Sequence, residues 1–273
     1  MPKRIVTLDP FFSLQTSLWL GLDVVGSARS GGLLPASVAG LPVPVDEITH
    51  IGQVEAPDLE MILELSPDLI IGDAYAHGPL RALLSRIAPT ALVRATDWQS
   101  YLKTVARAVG REEDVSQGLA DYENRASSIR SRMPEGLQVS FVRLTAGGFQ
   151  VYVAGPAAYA PAAVMTDAGV VRPDYEHVTD ETVLKRPGWE GLLALSGDVL
   201  LYVIGGGHHD VEGGRSLEDE VTANPIWQSL PAVKAGRAYR VDAAHWMGFG
   251  GLHSAEAVLD DIERLIIDDD TSG

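Results

Sequence analysis

One stretch of this chain occurs twice. Residues 57–71 read PDLEMILELSPDLII and residues 187–201 read PGWEGLLALSGDVLL, an offset of 130 residues in a chain of 273. Pro57/Pro187, Glu60/Glu190, Leu63/Leu193, Leu65/Leu195, Ser66/Ser196 and Asp68/Asp198 coincide, and the other apolar positions mostly exchange Ile, Leu and Val. Solenoid units recur every ~20–50 residues, so this spacing belongs to no repeat array. It predicts two similar α/β lobes joined near the middle of the chain, with one surface presented twice. Such a chain would offer a cleft between lobes and face a partner of pseudo-twofold symmetry.

The local pattern supports that division. Arg4–Leu8 and Val24–Ala28 read as strands, with a helical run carrying Leu14, Leu18, Trp19 and Leu22 between them, and 34–46 as an irregular Pro-rich loop. In the first copy Pro57 suits the first helical position, Asp58 and Glu60 favour the first turn, and Pro67 ends the helix before an apolar strand. A helix at Pro79–Ile87 and a strand at Ala91–Ala95 complete the first lobe. From Trp98 to Met133 the chain is helix-forming apart from Gly110, and the piece from Arg111 would span roughly 33 Å, a stiff strut. A second lobe follows with strands at Val139–Leu144, Val151–Ala154, Val199–Ile204 and Ala238–Val241, and closes on an amphipathic helix at Leu252–Ile267. The expected organisation is an N-terminal lobe over 1–110, an inter-lobe helix over 111–135 and a C-terminal lobe over 136–273. Each lobe is expected to be Rossmann-like, with a central, mainly parallel sheet, and the strut predicts small lobe movements.

Bulk properties narrow the function. A net charge of −16 leaves no excess of Lys or Arg to displace counterions from phosphates, which excludes nucleic acid. The absence of Cys excludes disulfides, thiolate zinc sites and a cysteine nucleophile. No apolar run approaches the ~20 residues of a spanning helix, and MPKRIVTLDP runs directly into a strand without a signal peptide. Either the protein is cytoplasmic or the chain is a mature form restarted with methionine. There is no G-x-S-x-G elbow, P-loop, H-E-x-x-H or dinucleotide-binding glycine motif, so the chain reads as a binding protein and not an enzyme.

In parallel α/β sheets, ligands meet the loops beyond the carboxyl ends of strands. Those loops carry Asp9–Phe12, Arg29, Gln53, Tyr75, His77 and Trp98 in the first half, and Arg143, Tyr159, His208, His209, His245 and Trp246 in the second. Trp, Tyr, Arg and His together suit a bulky, partly apolar ligand with oxygens on its surface. Each has a plainer role as well: the tryptophans as packing residues, Arg143 as partner to an acid at the sheet end, and His208 and His209 as solvated loop residues. The histidines match no simple metal-ligand spacing, which leaves His209 and His245 as a minority metal reading. Glu60 and Glu190, recurring at equivalent positions, are read as paired docking acids; the alternative is that both merely stabilise a helix start.

These residues resemble the substrate-binding proteins of iron–siderophore and cobalamin ABC importers, the class III periplasmic binding proteins. The resemblance is carried by RIVTLDP, IGQVEAPDLEMILELSPDLII, LLSRIAPTALV, the long helix, WEGLLALSGDVLL, NPIWQSLPAVKAGRAYRV and HWMGFGGLHSAEAVLDDIERL, which together span nearly the whole chain. It implies a monomer that binds a ferric siderophore between its lobes, needs no cofactor, and delivers the complex to a permease dimer outside the cytoplasm, periplasmic or membrane-anchored as a lipoprotein. It implies that Glu60 and Glu190 dock onto permease arginines and that Tyr75 and Trp246 touch the siderophore. Gln53 stands where some hydroxamate binders carry arginine. Haem or cobalamin capture is the neighbouring alternative, and an α/β enzyme or metal-ion-binding protein using the cleft a more distant one.

Overall fold

The computed structural model describes residues 2–41, 45–94, 97–205 and 211–268. The fold is α/β and divides into two compact units. The first comprises Met1–Asp121 with Gly248–Ser254, and the second Tyr122–Met247 with Ala255–Gly273. The first unit holds a sheet built from β1 (Ile5–Thr7), β2 (Val24–Arg29), β3 (Thr49–Gln53), β4 (Ala56–Pro57), β5 (Leu69–Asp73) and β6 (Thr90–Val93), in the order β4-β3-β2-β1-β5-β6. All neighbours run parallel except β3 and β4. The second unit holds β7 (Val139–Thr145), β8 (Gly148–Tyr152), β9 (Leu184–Lys185), β10 (Val199–Ile204) and β11 (Ala238–Arg240), in the order β11-β10-β7-β8-β9.

The duplicated segment has the same structural task in both units. In the first, β1 pairs parallel with β5, Ile5 against Leu69; in the second, β7 pairs parallel with β10, Val139 against Val199. The repeated aspartate fastens each pair at its start. Asp68 accepts from the backbone N–H groups of Lys3 (2.7 Å) and Arg4 (3.0 Å), and Asp198 accepts from Gln138 N–H (2.9 Å). Burial pulls the Asp68 carboxyl up, but the backbone donors outweigh it and hold it below its ordinary value. Its contribution is therefore present above the ordinary carboxylate range and lost as pH falls through the lowered value. Asp68→Ala and Asp198→Ala are each expected to cost about 1 kcal/mol in urea unfolding near neutrality, with the Asp68 effect vanishing in acid.

The likeness of the two units stops at three strands. β1, β5 and β6 match β7, β10 and β11, but β8 and β9 are antiparallel where the first unit has a parallel β2 and β3. The repeat helices differ too. Asp58 caps Leu59–Glu64 through the N–H groups of Glu60 and Met61, giving an α-helix. Gly188 stands in its place in the second copy, no side-chain cap forms, and Glu190–Ala194 is a 3-10 turn.

Helix Trp98–Val109 is capped by Asp97 and ends at Gly110, whose φ of +69° is left-handed. It buries Trp98, Tyr101, Leu102, Val105, Ala106 and Val109, a stripe at helical spacing. The expected strut is the helix Glu112–Arg132, and the division between units falls within it. The Gly-rich turn after Trp246 returns to the first unit. Gln15 Nε2 and Ser37 Oγ both donate to the Gly248 carbonyl (2.9 Å each), and a Cβ on Gly250 would lie 2.2 Å from the Gln15 amide carbon. The closing helix runs Leu252–Ile262 and widens to a π-helix over Glu263–Asp268. Helix Val211–Ala223 was not legible in the sequence, because two consecutive glycines break its pattern near the start.

Candidate functional site

In the first unit, the carboxyl ends of the parallel strands place Asp9, Arg29, Gln53, Tyr75 and Arg94. Tyr75 stands out, being 82% exposed in the first turn of a short helix, Ala74–His77. Asp73 caps that helix by accepting from Tyr75 N–H (2.7 Å) and Ala76 N–H (2.8 Å). His77 is fully buried and pins the helix from below: its Nδ1 accepts from Asp73 N–H (3.1 Å) while Nε2 donates to the Val54 carbonyl (2.9 Å). It supports the turn that carries Tyr75 and has no exposed surface. The guanidinium of Arg94 lies over the Tyr75 ring, 5.3 Å from its centre. Arg29 and Gln53 are paired across β2 and β3, and Gln53 Oε1 accepts from Gly32 N–H (3.3 Å). Gly52 beside it, at φ +95°, makes the tight turn into β4; a Cβ there would sit 2.6 Å from the Ala56 carbonyl oxygen.

Beneath these residues lies a buried polar chain. Asp9 accepts from Phe11 N–H (3.0 Å), Ser13 N–H (3.1 Å) and the Ser13 hydroxyl, and Ser13 Oγ meets Tyr101 OH at 2.5 Å. Burial pushes the Asp9 carboxyl up against the pull of these hydrogen bonds, and burial followed by the Asp9 charge raises the Tyr101 hydroxyl. This chain fixes the loop through Phe11 and Phe12. Trp98, expected to line a cleft, is instead 3% exposed, edge-on to Phe249 with ring centres 5.9 Å apart.

In the second unit, Arg143 on β7 donates through Nε to the Gly205 carbonyl at the end of β10 (2.5 Å). Its Nη1 reaches Gln150 Oε1 and Tyr152 OH, both at 3.4 Å. Gln150 and Tyr152 alternate along β8 and so share a face, with Gln150 in register with Arg143. The Tyr152 ring packs on Tyr159 (4.8 Å) and on Phe141 (5.8 Å). Tyr159 OH donates to the Met247 carbonyl (3.1 Å), and burial pushes that hydroxyl well above its usual range, with a smaller push from Tyr152. Trp246 has no exposed surface: it packs on Phe141 (4.8 Å) and donates through Nε1 to Asp261 (2.9 Å). Burial pulls His245 below its ordinary value against nearby acids, so it is neutral near pH 7. His208 and His209 lie outside the described residues, and among those described no three His, Asp or Glu side chains gather as a metal site.

Each unit thus presents an arginine beside tyrosine, Arg94 with Tyr75 and Arg143 with Tyr152. Among the described residues no carboxylate comes within ion-pairing reach of either arginine. A guanidinium fork of this kind is suited to hydrogen-bond a carboxylate in a bidentate manner. Arg94 and Tyr152 escaped the sequence reading. Arg94 follows β6 in RATDW with no local pattern to mark it, and Tyr152 announces itself only through the period-two face it shares with Gln150. Glu60 and Glu190 are both exposed, each in the first turn of its repeat element.

A family model described as periplasmic binding protein matches residues 13–244. The probable siderophore-binding lipoprotein YfiY of Bacillus subtilis is 28% identical, over 97% of this chain and 83% of its own. The Fe(3+)-citrate-binding protein YfmC of the same organism is 26% identical, over 97% of this chain and 81% of its own. Among solved structures, Staphylococcus aureus SirA complexed with staphyloferrin B superposes with a TM-score of 0.79 at 22% identity, over 96% of this chain and 92% of that one.

Proposed function

The chain belongs to the periplasmic binding protein family, and from that premise we propose that it captures a ferric siderophore and hands it to an ABC importer. Relatives named for siderophore and ferric-citrate binding support the ligand. The observation that carries the finer reading is a pair of arginines, one in each unit and each against a tyrosine, that have no carboxylate partner among the described residues. A guanidinium fork matches carboxylate oxygens in a bidentate manner, and iron(III) already held by hard oxygen donors needs no protein ligand. The preferred cargo is therefore an anionic ferric complex with a carboxylate-rich shell. The first unit offers Tyr75, Arg94, Gln53 and Arg29 as contacts and the second offers Arg143, Tyr159 and His245; Trp98 and Trp246 are packed within their own units. The protein acts outside the cytoplasm. Glu60 and Glu190 meet cationic side chains of the permease, whose two subunits match the duplicated surface.

Titration with ferric citrate, a ferric catecholate, ferric desferrioxamine, haem and cobalamin, followed by quenching of the five tryptophans, tests this. Saturable sub-micromolar quenching by ferric citrate, with the hydroxamate much weaker, is expected. Preference for the hydroxamate would overturn the anionic assignment, and silence towards every member of the panel would overturn capture itself.

A further inference from the structure

The duplicated surface carries more than its two glutamates. Residue by residue the two copies are buried alike, differing only at Glu64/Ala194 and Leu65/Leu195. Ile62 and Leu192 face the core with no exposure, while the next residue, Leu63 or Leu193, faces out. Leu63 is 60% exposed and Leu193 57%, and no other leucine, isoleucine or valine among the described residues is exposed as much. A single exposed leucine is ordinary on a protein surface. The two most exposed aliphatic side chains falling on equivalent positions 130 residues apart is a different matter.

The geometry links each leucine to its glutamate. Glu60 and Leu63 stand three residues apart on an α-helix, where such pairs are surface neighbours. Glu190 and Leu193 stand three apart on a 3-10 turn, where such pairs eclipse. The backbone differs between copies and the exposed pair survives, so helix stability alone does not account for it. Gly188 has lost the capping function of Asp58, yet both the acid and the leucine remain.

We propose that Leu63 and Leu193 are the apolar centres of the two docking contacts, each seated in a recess beside a cation on one half of a two-fold partner. This rests on the transport reading above, whose permease pair is that partner. The glutamates confer charge recognition at the rim, and the leucines, covered on docking, confer the bulk of the affinity. Burying one exposed leucine corresponds to roughly a tenfold change in affinity, and two contacts engaged together multiply to about a hundredfold.

The test uses the whole protein loaded with ferric citrate, and proteoliposomes holding an iron-complex ABC importer from the same organism. The concentration of binding protein that half-stimulates ATP hydrolysis is measured for wild type, Leu63→Ser, Leu193→Ser, the double variant, and Glu60→Gln/Glu190→Gln as control. Each single serine should raise that concentration about tenfold and the double about a hundredfold, with ligand affinity and melting temperature unchanged. If the serine variants stimulate like wild type while the glutamine control fails, docking at these elements stands and the leucine proposal falls. If wild type itself neither binds a ferric complex nor stimulates hydrolysis, the transport reading falls and takes this proposal with it.

Discussion

Replacing Arg94 and Arg143 together with alanine is expected to weaken ferric citrate binding by roughly a thousandfold, and each alone by about thirtyfold. The two guanidinium groups belong to different units and share no hydrogen-bond partner among the described residues, so their losses should add in free energy. Each is already placed before ligand arrives. The Tyr75 ring supports Arg94, while the Gly205 carbonyl and Gln150 hold Arg143. Little rotamer freedom remains to be lost on binding, which is why a large effect is expected from two side chains. Lysine at both positions restores charge without the planar fork and should recover only part of the affinity. Calorimetric titration at two salt concentrations, with a melting curve for each variant, is the measurement. Unchanged affinity in the double alanine variant would mean that the cargo is not held as an anion.

The sequence revealed most of the framework and little of the walls. The 130-residue offset located the paired strands of both units because a buried parallel strand preceded by an amphipathic turn is a strong local signal. It overstated their likeness. Nothing in VYVAGPAAYAP says that its strand returns antiparallel beside β7, since register and direction are settled by partners far along the chain. Gly248–Ser254 folding with the first unit is equally invisible, because the clue is the fit of Gly250 against Gln15, 235 residues earlier. Strand order in the sequence placed Tyr75 and Arg143 near the carboxyl ends of their sheets, where the structure has them. It could not separate the residue that faces out from the one that packs, so Trp98 and His77 were grouped with Tyr75 although both are buried. Arg94 gives no such signal, because its significance lies in the ring it covers, a contact between the residue after β6 and the short helix that follows β5.

Trp246→Ala is expected to destabilise the second unit by about 3–5 kcal/mol, and its melting transition to fall by roughly 10 °C. The indole is completely buried, so its removal leaves a cavity against Phe141, and Asp261 loses the indole N–H. The damage should reach the ligand wall without any direct contact. Phe141 packs on Trp246 and also on Tyr152, whose hydroxyl meets Arg143, so a slack Phe141 loosens the arginine. Weak binding by Trp246→Ala therefore cannot by itself identify an indole–siderophore contact. Trp246→Phe separates the two roles. It keeps an aromatic face for Phe141 and gives up one hydrogen bond, at a cost of about 1 kcal/mol. If Trp246 works from behind the wall, the phenylalanine variant should recover most of the melting temperature and most of the affinity together. If melting recovers while affinity stays lost, the indole touches the cargo, and the buried packing seen here gives way when ligand binds.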